Sequence, residues 1–389
     1  MLKTDIARFR AHVPAAQQRA YFETASTGLI PDFVYEAVRN YQDARYFEGG
    51  DSVWQYDSVR VDTPEMLGRA SASVGKMLGT SRENIFFGLD TSHVYGVLSS
   101  GLDFSPGDNV ILPENGWMAN RFAWQMRERD GLELRYVKPR RGGIQPEDVA
   151  AVCDGHTRAV CLTLVESSTG FMLDAAEIGR ICREKGVWFA VDATQACGVM
   201  PVDVERMGID FLAANDYKWM MNFCGTGYGY VSPELRGSLH QRSAGWMSDT
   251  DRGNTAKLNL TLRADAGQYE AGYPNAPGAY GLGLVAEQYM ALGGESIRAY
   301  IFGLIDQLLI GITGAEGVEC VSSLAEKNRS AIVLLRINRE KGLSRNLLAE
   351  AGIAARLVDL GDGAQYMRVS VHYYNNINDV QRLLDVLKR

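Results

Sequence analysis

The apolar run at residues 187–191 stops at Asp192, and a second short run at 211–214 breaks into Asn215, Asp216, Tyr217 and Lys218. Continuous apolar runs of this length suit parallel strands buried on both faces. Runs at 85–89, 109–113, 132–137 and 159–165 predict further strands, with helical stretches at 117–129, 146–152 and 174–185 between them. Strands alternating with helices predict an α/β fold, a mostly parallel sheet covered by helices on both faces. Earlier in the chain, residues up to Arg19 are mixed and polar and read as an arm or a short helix. Pro31 leads into an amphipathic helix that ends before Gly49 and Gly50. Pro64 starts another, whose apolar positions Met66, Leu67, Ala70, Val74, Met77 and Leu78 recur at helical spacing.

The texture changes near Asp251, with polar residues to Lys257, a strand-like piece at 259–264 and a glycine-rich stretch at 269–283. A junction here divides the chain into an N-terminal arm (1–20), a large domain (21–255) and a smaller C-terminal α/β domain (256–389). A helical region at 279–313, interrupted at Gly293 and Gly294, links the two domains. The small domain reads as strand (330–337), helix (343–351), strand (365–373) and helix (379–388). Alternation along the last strand puts Tyr366, Arg368, Ser370 and His372 on one face and Met367, Val369 and Val371 on the other. The apolar face is expected to pack on the closing helix, leaving Arg368 on the polar one.

With 389 residues and 46% hydrophobic side chains, the chain can fill two such cores. A net charge of −7 and a pI near 5.4 argue against nucleic acid or an anionic membrane as partner, since either needs clustered basic surface. No apolar stretch approaches the roughly 18 residues of a membrane span, and the first residues lack a signal peptide's apolar centre, so a cytoplasmic location is expected. Six scattered cysteines without a CxxC pair read as reduced core thiols, and five histidines show no metal spacing, so neither a disulfide framework nor a zinc or iron site is expected. The GTGYG at 225–229 resembles part of a dinucleotide fingerprint, but it precedes a strand and opens no helix. It reads instead as a tight hairpin beside Lys218.

Asp192 and Lys218 both follow strand ends. Two consecutive parallel strands deliver such residues to one rim of the sheet, where open α/β sheets bind ligands. A carboxylate buried there needs a cationic partner, and a protonated pyridine nitrogen is one. An acid for the ring nitrogen and a lysine for a Schiff base are what a pyridoxal 5′-phosphate (PLP) enzyme requires. The turn at Asp90, Thr91 and Ser92 puts hydroxyls at a helix start, either an ordinary cap or a phosphate site.

The stretch VDATQACGVMPVDVERMGIDFLAANDYKWM (191–220) resembles the core of the class V aminotransferase and cysteine desulfurase family, fold type I PLP enzymes, in the branch with Tyr-Lys-Trp at the Schiff-base lysine. YFETAST (21–27), DTSH (90–93), ENGWMANRFAW (114–124), VESSTG (165–170), YEAGYPNAPGAYGLG (269–283) and MRVSVHYYN (367–375) follow in family order, so the likeness spans nearly the whole chain. It implies PLP on Lys218, with Asp192 at the ring nitrogen, Trp117 stacked on the ring, and Gln195 and Ser167 near its phenolic oxygen. Thr91, Ser92, Asn215 and Tyr217 are implied around the phosphate, although relatives often carry Ser and His where Asn215 and Tyr217 stand. Arg368 falls at the family's position for the substrate carboxylate, which an arginine fork matches bidentately. Ser26 and Thr27 fall at the substrate entrance, where a helix cap and turn is an equal reading. Tyr273 replaces a small hydroxyl residue that in many relatives reaches the neighbouring subunit's phosphate, and its extra length points towards substrate instead.

The resemblance further implies a homodimer with its active sites at the subunit interface. Desulfurases of the family carry a nucleophilic cysteine on a loop before the arginine strand, and residues 321–389 contain none. The expectation is therefore an aminotransferase acting on a small amino acid. A β-lyase such as a C–S lyase, an epimerase, and a non-catalytic binding protein of the same fold are the alternatives.

Overall fold

The computed structural model describes residues 5–49, 53–56, 59–140, 142–252 and 254–388; Gly50, placed by sequence just past a helix, lies outside them. Ala20–Phe22 (β1) comes first, and Val53–Tyr56 (β2) and Val59–Asp62 (β3) then pair as an antiparallel ribbon. Ile85–Gly88 (β4), Asn109–Pro113 (β5), Glu133–Val137 (β6), Thr157–Thr163 (β7), Trp188–Asp192 (β8), Phe211–Asn215 (β9) and Gly227–Val231 (β10) form one sheet, in the order β4-β10-β9-β8-β7-β5-β6. Strands β6 to β9 in that order pair in parallel, and β10 runs antiparallel to both β9 and β4.

Alternate residues of these strands enter two separate cores. Ala159, Cys161, Ala190 and Phe211 belong to one, while Val160, Leu162, Phe189 and Val191 belong to the other. Both faces are dry, so the sequence shows unbroken apolar runs rather than alternation. The helix Ala175–Lys185 shows how the crossovers are bounded. Asp174 accepts from the Glu177 amide at its start, and Gly186 takes φ = 66° at its end, turning the chain into β8.

Helices Ala276–Leu292 and Gly294–Ile312, separated at Gly293 with φ = 82°, lead to a second sheet. There Val318–Cys320 (β11), Ile332–Ile337 (β12), Ile353–Val358 (β13) and Gln365–Ser370 (β14) stand in the order β1-β13-β14-β12-β11. Strand β1, which the sequence reading assigned with the large domain, pairs in parallel with β13 through Ala20–Ile353 and Phe22–Ala355. The N-terminal stretch forms short helices at Ile6–Phe9 and Pro14–Gln18, burying Phe9, Val13 and Ala16. Arg10 pins it by donating to Asp379 of the closing helix Ile377–Leu387 at 2.6 Å. Which of its residues are buried is not readable locally, because partners such as Tyr373, whose ring centroid lies 4.6 Å from that of Phe9, stand far along the chain.

Two other expectations differ. Residues 259–264 form no strand; one bridge, Asp249 to Leu262, is the pairing there, and Leu258 and Leu260 are exposed. Alternation favours a strand only when an edge is present to bond it. Ser370 and His372, expected on a polar face, are fully buried: Ser370 is bridged by Ile332 and Glu23 on either side, and His372 lies against the Trp219 ring. Among the described residues no helix is long and apolar enough to cross a membrane.

Candidate active site

The registered ends of β7, β8 and β9 bring Thr163 beside Asp192 and Asp192 beside Ala213, with Asn215 two residues further on. A cavity of about 390 Å³ lies at this rim. Every candidate site residue named from the sequence lines it, except Thr27 and Tyr273.

Lys218 lies on the turn between β9 and β10. Gly28 makes that turn possible, since its amide donates to the Tyr217 carbonyl at 2.8 Å and a Cβ there would stand 1.9 Å from the Lys218 carbonyl oxygen. Asp216 is buried and accepts from the Asn222 amide at 2.7 Å, bracing the turn from within. The Lys218 Nζ sits 5.9 Å from the Trp117 ring centroid and 5.7 Å from that of Tyr217. Burial lowers the pKa of its amine; the Asp192 carboxylate opposes that shift and the Arg368 guanidinium adds to it.

Asp192 is buried and accepts from the Thr194 amide at 2.9 Å through one oxygen, while its side chain faces the cavity. The Thr194 hydroxyl meets that of Thr91 at 3.0 Å, which ties the end of β8 to the start of the helix Thr91–Gly101. Asp90 caps that helix through the His93 amide at 2.8 Å. Gly227 lets β10 approach closely here, because a Cβ would stand 2.5 Å from the Asp90 backbone.

Gln195 donates to the Ala25 carbonyl at 3.0 Å and accepts from the Trp219 indole at 2.6 Å. Arg368 donates to the Ser167 carbonyl at 2.9 Å and to the Ser26 hydroxyl at 2.5 Å, while its Nε is buried without a partner. Thr27 is exposed and outside the cavity, offering its carbonyl to the Tyr21 hydroxyl. Tyr273 lies beside a different cavity, its ring 5.4 Å from that of Trp246. Within one chain it does not reach the site.

Two charged residues that sequence reasoning missed also line the cavity. Arg356 on β13 stands in register with Arg368 on β14, two guanidinium-bearing residues side by side. Burial of Ile353 and Ala355 against exposure of Arg356 shows an alternation that could have revealed β13. Glu166 accepts from the Ser168 and Thr169 amides at 2.9 and 2.6 Å, shaping the loop whose carbonyl receives Arg368.

The profile of the family described as Aminotransferase class-V matches residues 20–383. The chain belongs to this family. A probable cysteine desulfurase of Methanothermobacter thermautotrophicus is 28% identical, over 97% of this chain and 96% of its own length. Among solved structures, the apo cysteine desulfurase from Thermococcus onnurineus NA1 superposes with a TM-score of 0.85 at 24% identity, covering 98% of this chain and 96% of that one. The cystine C–S lyase C-DES, in complex with its product cysteine persulfide, gives 0.84 at 19%, covering 97% and 99%. At these identities the two structures establish a shared fold, that of the fold type I PLP enzymes.

The cofactor of this class V family is PLP, and the residues present fit it. The cavity holds an amine whose protonated form burial disfavours, a buried carboxylate facing inward, and hydroxyls at the start of an 11-residue helix. An exposed tryptophan ring stands within reach of the amine.

Proposed function

We propose that this class V enzyme is a PLP-dependent C–S lyase acting on cysteine or a related sulfur amino acid, and that it forms no persulfide on itself. One observation carries the reading: Lys218, Asp192 and Arg368 line one cavity, and no cysteine lines it. Cys197, five residues beyond the end of β8, is buried with its thiol pushed up to about 12. Cys224 is exposed but stands outside the lining, and Cys320 ends β11 in the other sheet. The desulfurase names of the curated relatives support sulfur chemistry over the aminotransferase expected from sequence.

When bound, PLP supplies a ring that accepts negative charge from the substrate Cα. Asp192 holds the proton on its ring nitrogen. Lys218 would hold the cofactor, and its amine, biased towards neutrality by burial, would take the substrate Cα proton. Arg368, with Arg356 beside it, holds the substrate carboxylate. With the Cα proton removed, the Cβ–S bond breaks and sulfur leaves with its bonding pair. With cysteine and one water, the products are pyruvate, ammonia and hydrogen sulfide.

The test supplies the PLP-loaded protein with cysteine, cystine and alanine, with and without a keto acid, and measures sulfide, pyruvate and ammonia separately. Equal amounts of pyruvate and ammonia from a sulfur substrate, with no need of a keto acid, are expected. Amino transfer that requires a keto acid and releases no ammonia overturns the proposal in favour of an aminotransferase, and racemisation without product favours an epimerase. We also propose a cytoplasmic homodimer, for which the exposed Trp246, Leu258, Leu260 and Tyr273 offer an apolar surface.

A further inference from the structure

We propose that Trp219, held from behind by His372, is a positioning residue that fixes Gln195 as a hydrogen-bond donor towards the cofactor's ring oxygen. An indole N–H can only donate, and a backbone carbonyl can only accept. Gln195 stands between one of each: its Oε1 receives the Trp219 Nε1 proton at 2.6 Å, and its Nε2 gives a proton to the Ala25 carbonyl at 3.0 Å. Turning the amide over sets N–H against N–H and oxygen against oxygen, both out of water, since Gln195 and Trp219 are buried. The amide therefore has one orientation, and the second Nε2 proton is left for the cavity that Gln195 lines.

The indole itself is clamped. The His372 ring lies parallel to it within 16°, at 5.9 Å between centroids, and His372 Nε2 donates to the Trp219 carbonyl at 3.1 Å. His372 in turn stacks on Tyr374 at 4.2 Å, and the Tyr374 hydroxyl bonds that of Thr24. A residue just beyond the second sheet thus sets the orientation of a side chain at the rim of the first. Because the residue after Lys218 supplies the indole, the same turn that carries the amine also aims the amide.

The inference rests on the cofactor assignment of this cavity, and not on which amino acid is turned over. Borohydride trapping of the cofactor on Lys218 tests that assignment first and separately. The experiment is a cycle of Trp219→Phe, Gln195→Met and the double variant, each loaded with PLP. It reads the pH midpoint of the visible band and the affinity of the apoprotein for PLP by fluorescence titration. Trp219→Phe is expected to move the midpoint in the same direction as Gln195→Met and to weaken PLP binding severalfold, with the double variant no worse than Gln195→Met alone. Effects that add, or a Trp219→Phe midpoint equal to wild type, overturn the proposal. Should Trp219→Phe fail to fold, His372→Phe, which removes the donor behind the indole, is read in the same cycle, and an unchanged midpoint there counts against the proposal equally.

Discussion

The Arg368 guanidinium donates to the Ser26 hydroxyl at 2.5 Å, joining residues 342 positions apart across the cavity. A second N–H reaches the Ser167 carbonyl at 2.9 Å, so the fork is held in one plane before any substrate arrives. Lysine at this position keeps the charge and loses the fork. Arg368→Lys is expected to raise KM for an α-amino acid about tenfold or more, the scale of one charge-assisted hydrogen bond. Steady-state kinetics with an amino acid and its amide, which lacks the carboxylate, provide the check; an equal loss for both contradicts the role.

Lys218 is expected to be the one covalent attachment point for PLP. Reduction with borohydride, digestion and mass spectrometry should place the label on it, and Lys218→Ala should lose turnover while still binding PLP noncovalently. A label on another lysine removes the assignment.

Asp192→Asn keeps the oxygen that accepts from the Thr194 amide and removes the charge facing the cavity. A charge-assisted hydrogen bond contributes about 1.5–3 kcal/mol, so kcat should fall at least tenfold and PLP should dissociate more readily. Wild-type turnover in this variant rules out the ring-nitrogen role.

His372 is fully buried, and burial pushes its pKa from 6.5 down to about 3. The folded value lies below the unfolded one, so between the two the unfolded chain binds a proton that the folded chain does not. The stabilising contribution is complete above pH 6.5 and is lost as pH falls towards 3, on the order of a few kcal/mol. His372→Gln can still donate to the Trp219 carbonyl but does not titrate. Thermal melting of the apoprotein between pH 4 and 7, roughly the window in which this group acts, should show a shallower slope in the variant than in wild type. Parallel slopes mean that another group governs the acid limb.

Replacing both Cys197 and Cys224 with alanine should leave the rate of sulfide or persulfide release from the substrate largely intact, since neither thiol lines the cavity. Trapping a persulfide on either residue in the wild type, with activity lost in a folded double variant, makes the enzyme a desulfurase instead.

By itself the sequence determined the large sheet and the rim at which the candidate residues gather. A parallel sheet buried on both faces writes itself as unbroken apolar runs, and the polar residue that ends each run marks the ligand side; Asp192 and Lys218 were legible for that reason, and family motifs then supplied their neighbours. Tertiary structure alone decided what depends on partners far apart in the chain. It moved β1 into the second sheet, folded the N-terminal stretch onto the closing helix, left residues 259–264 without an edge to pair with, and set Arg356 beside Arg368. It kept Tyr273 away from its own chain's cavity and put His372 behind Trp219. Periodicity reports which face of an element is buried and says nothing about what buries it. Hydrogen bonds and ring stacking between residues hundreds of positions apart leave no local pattern to read.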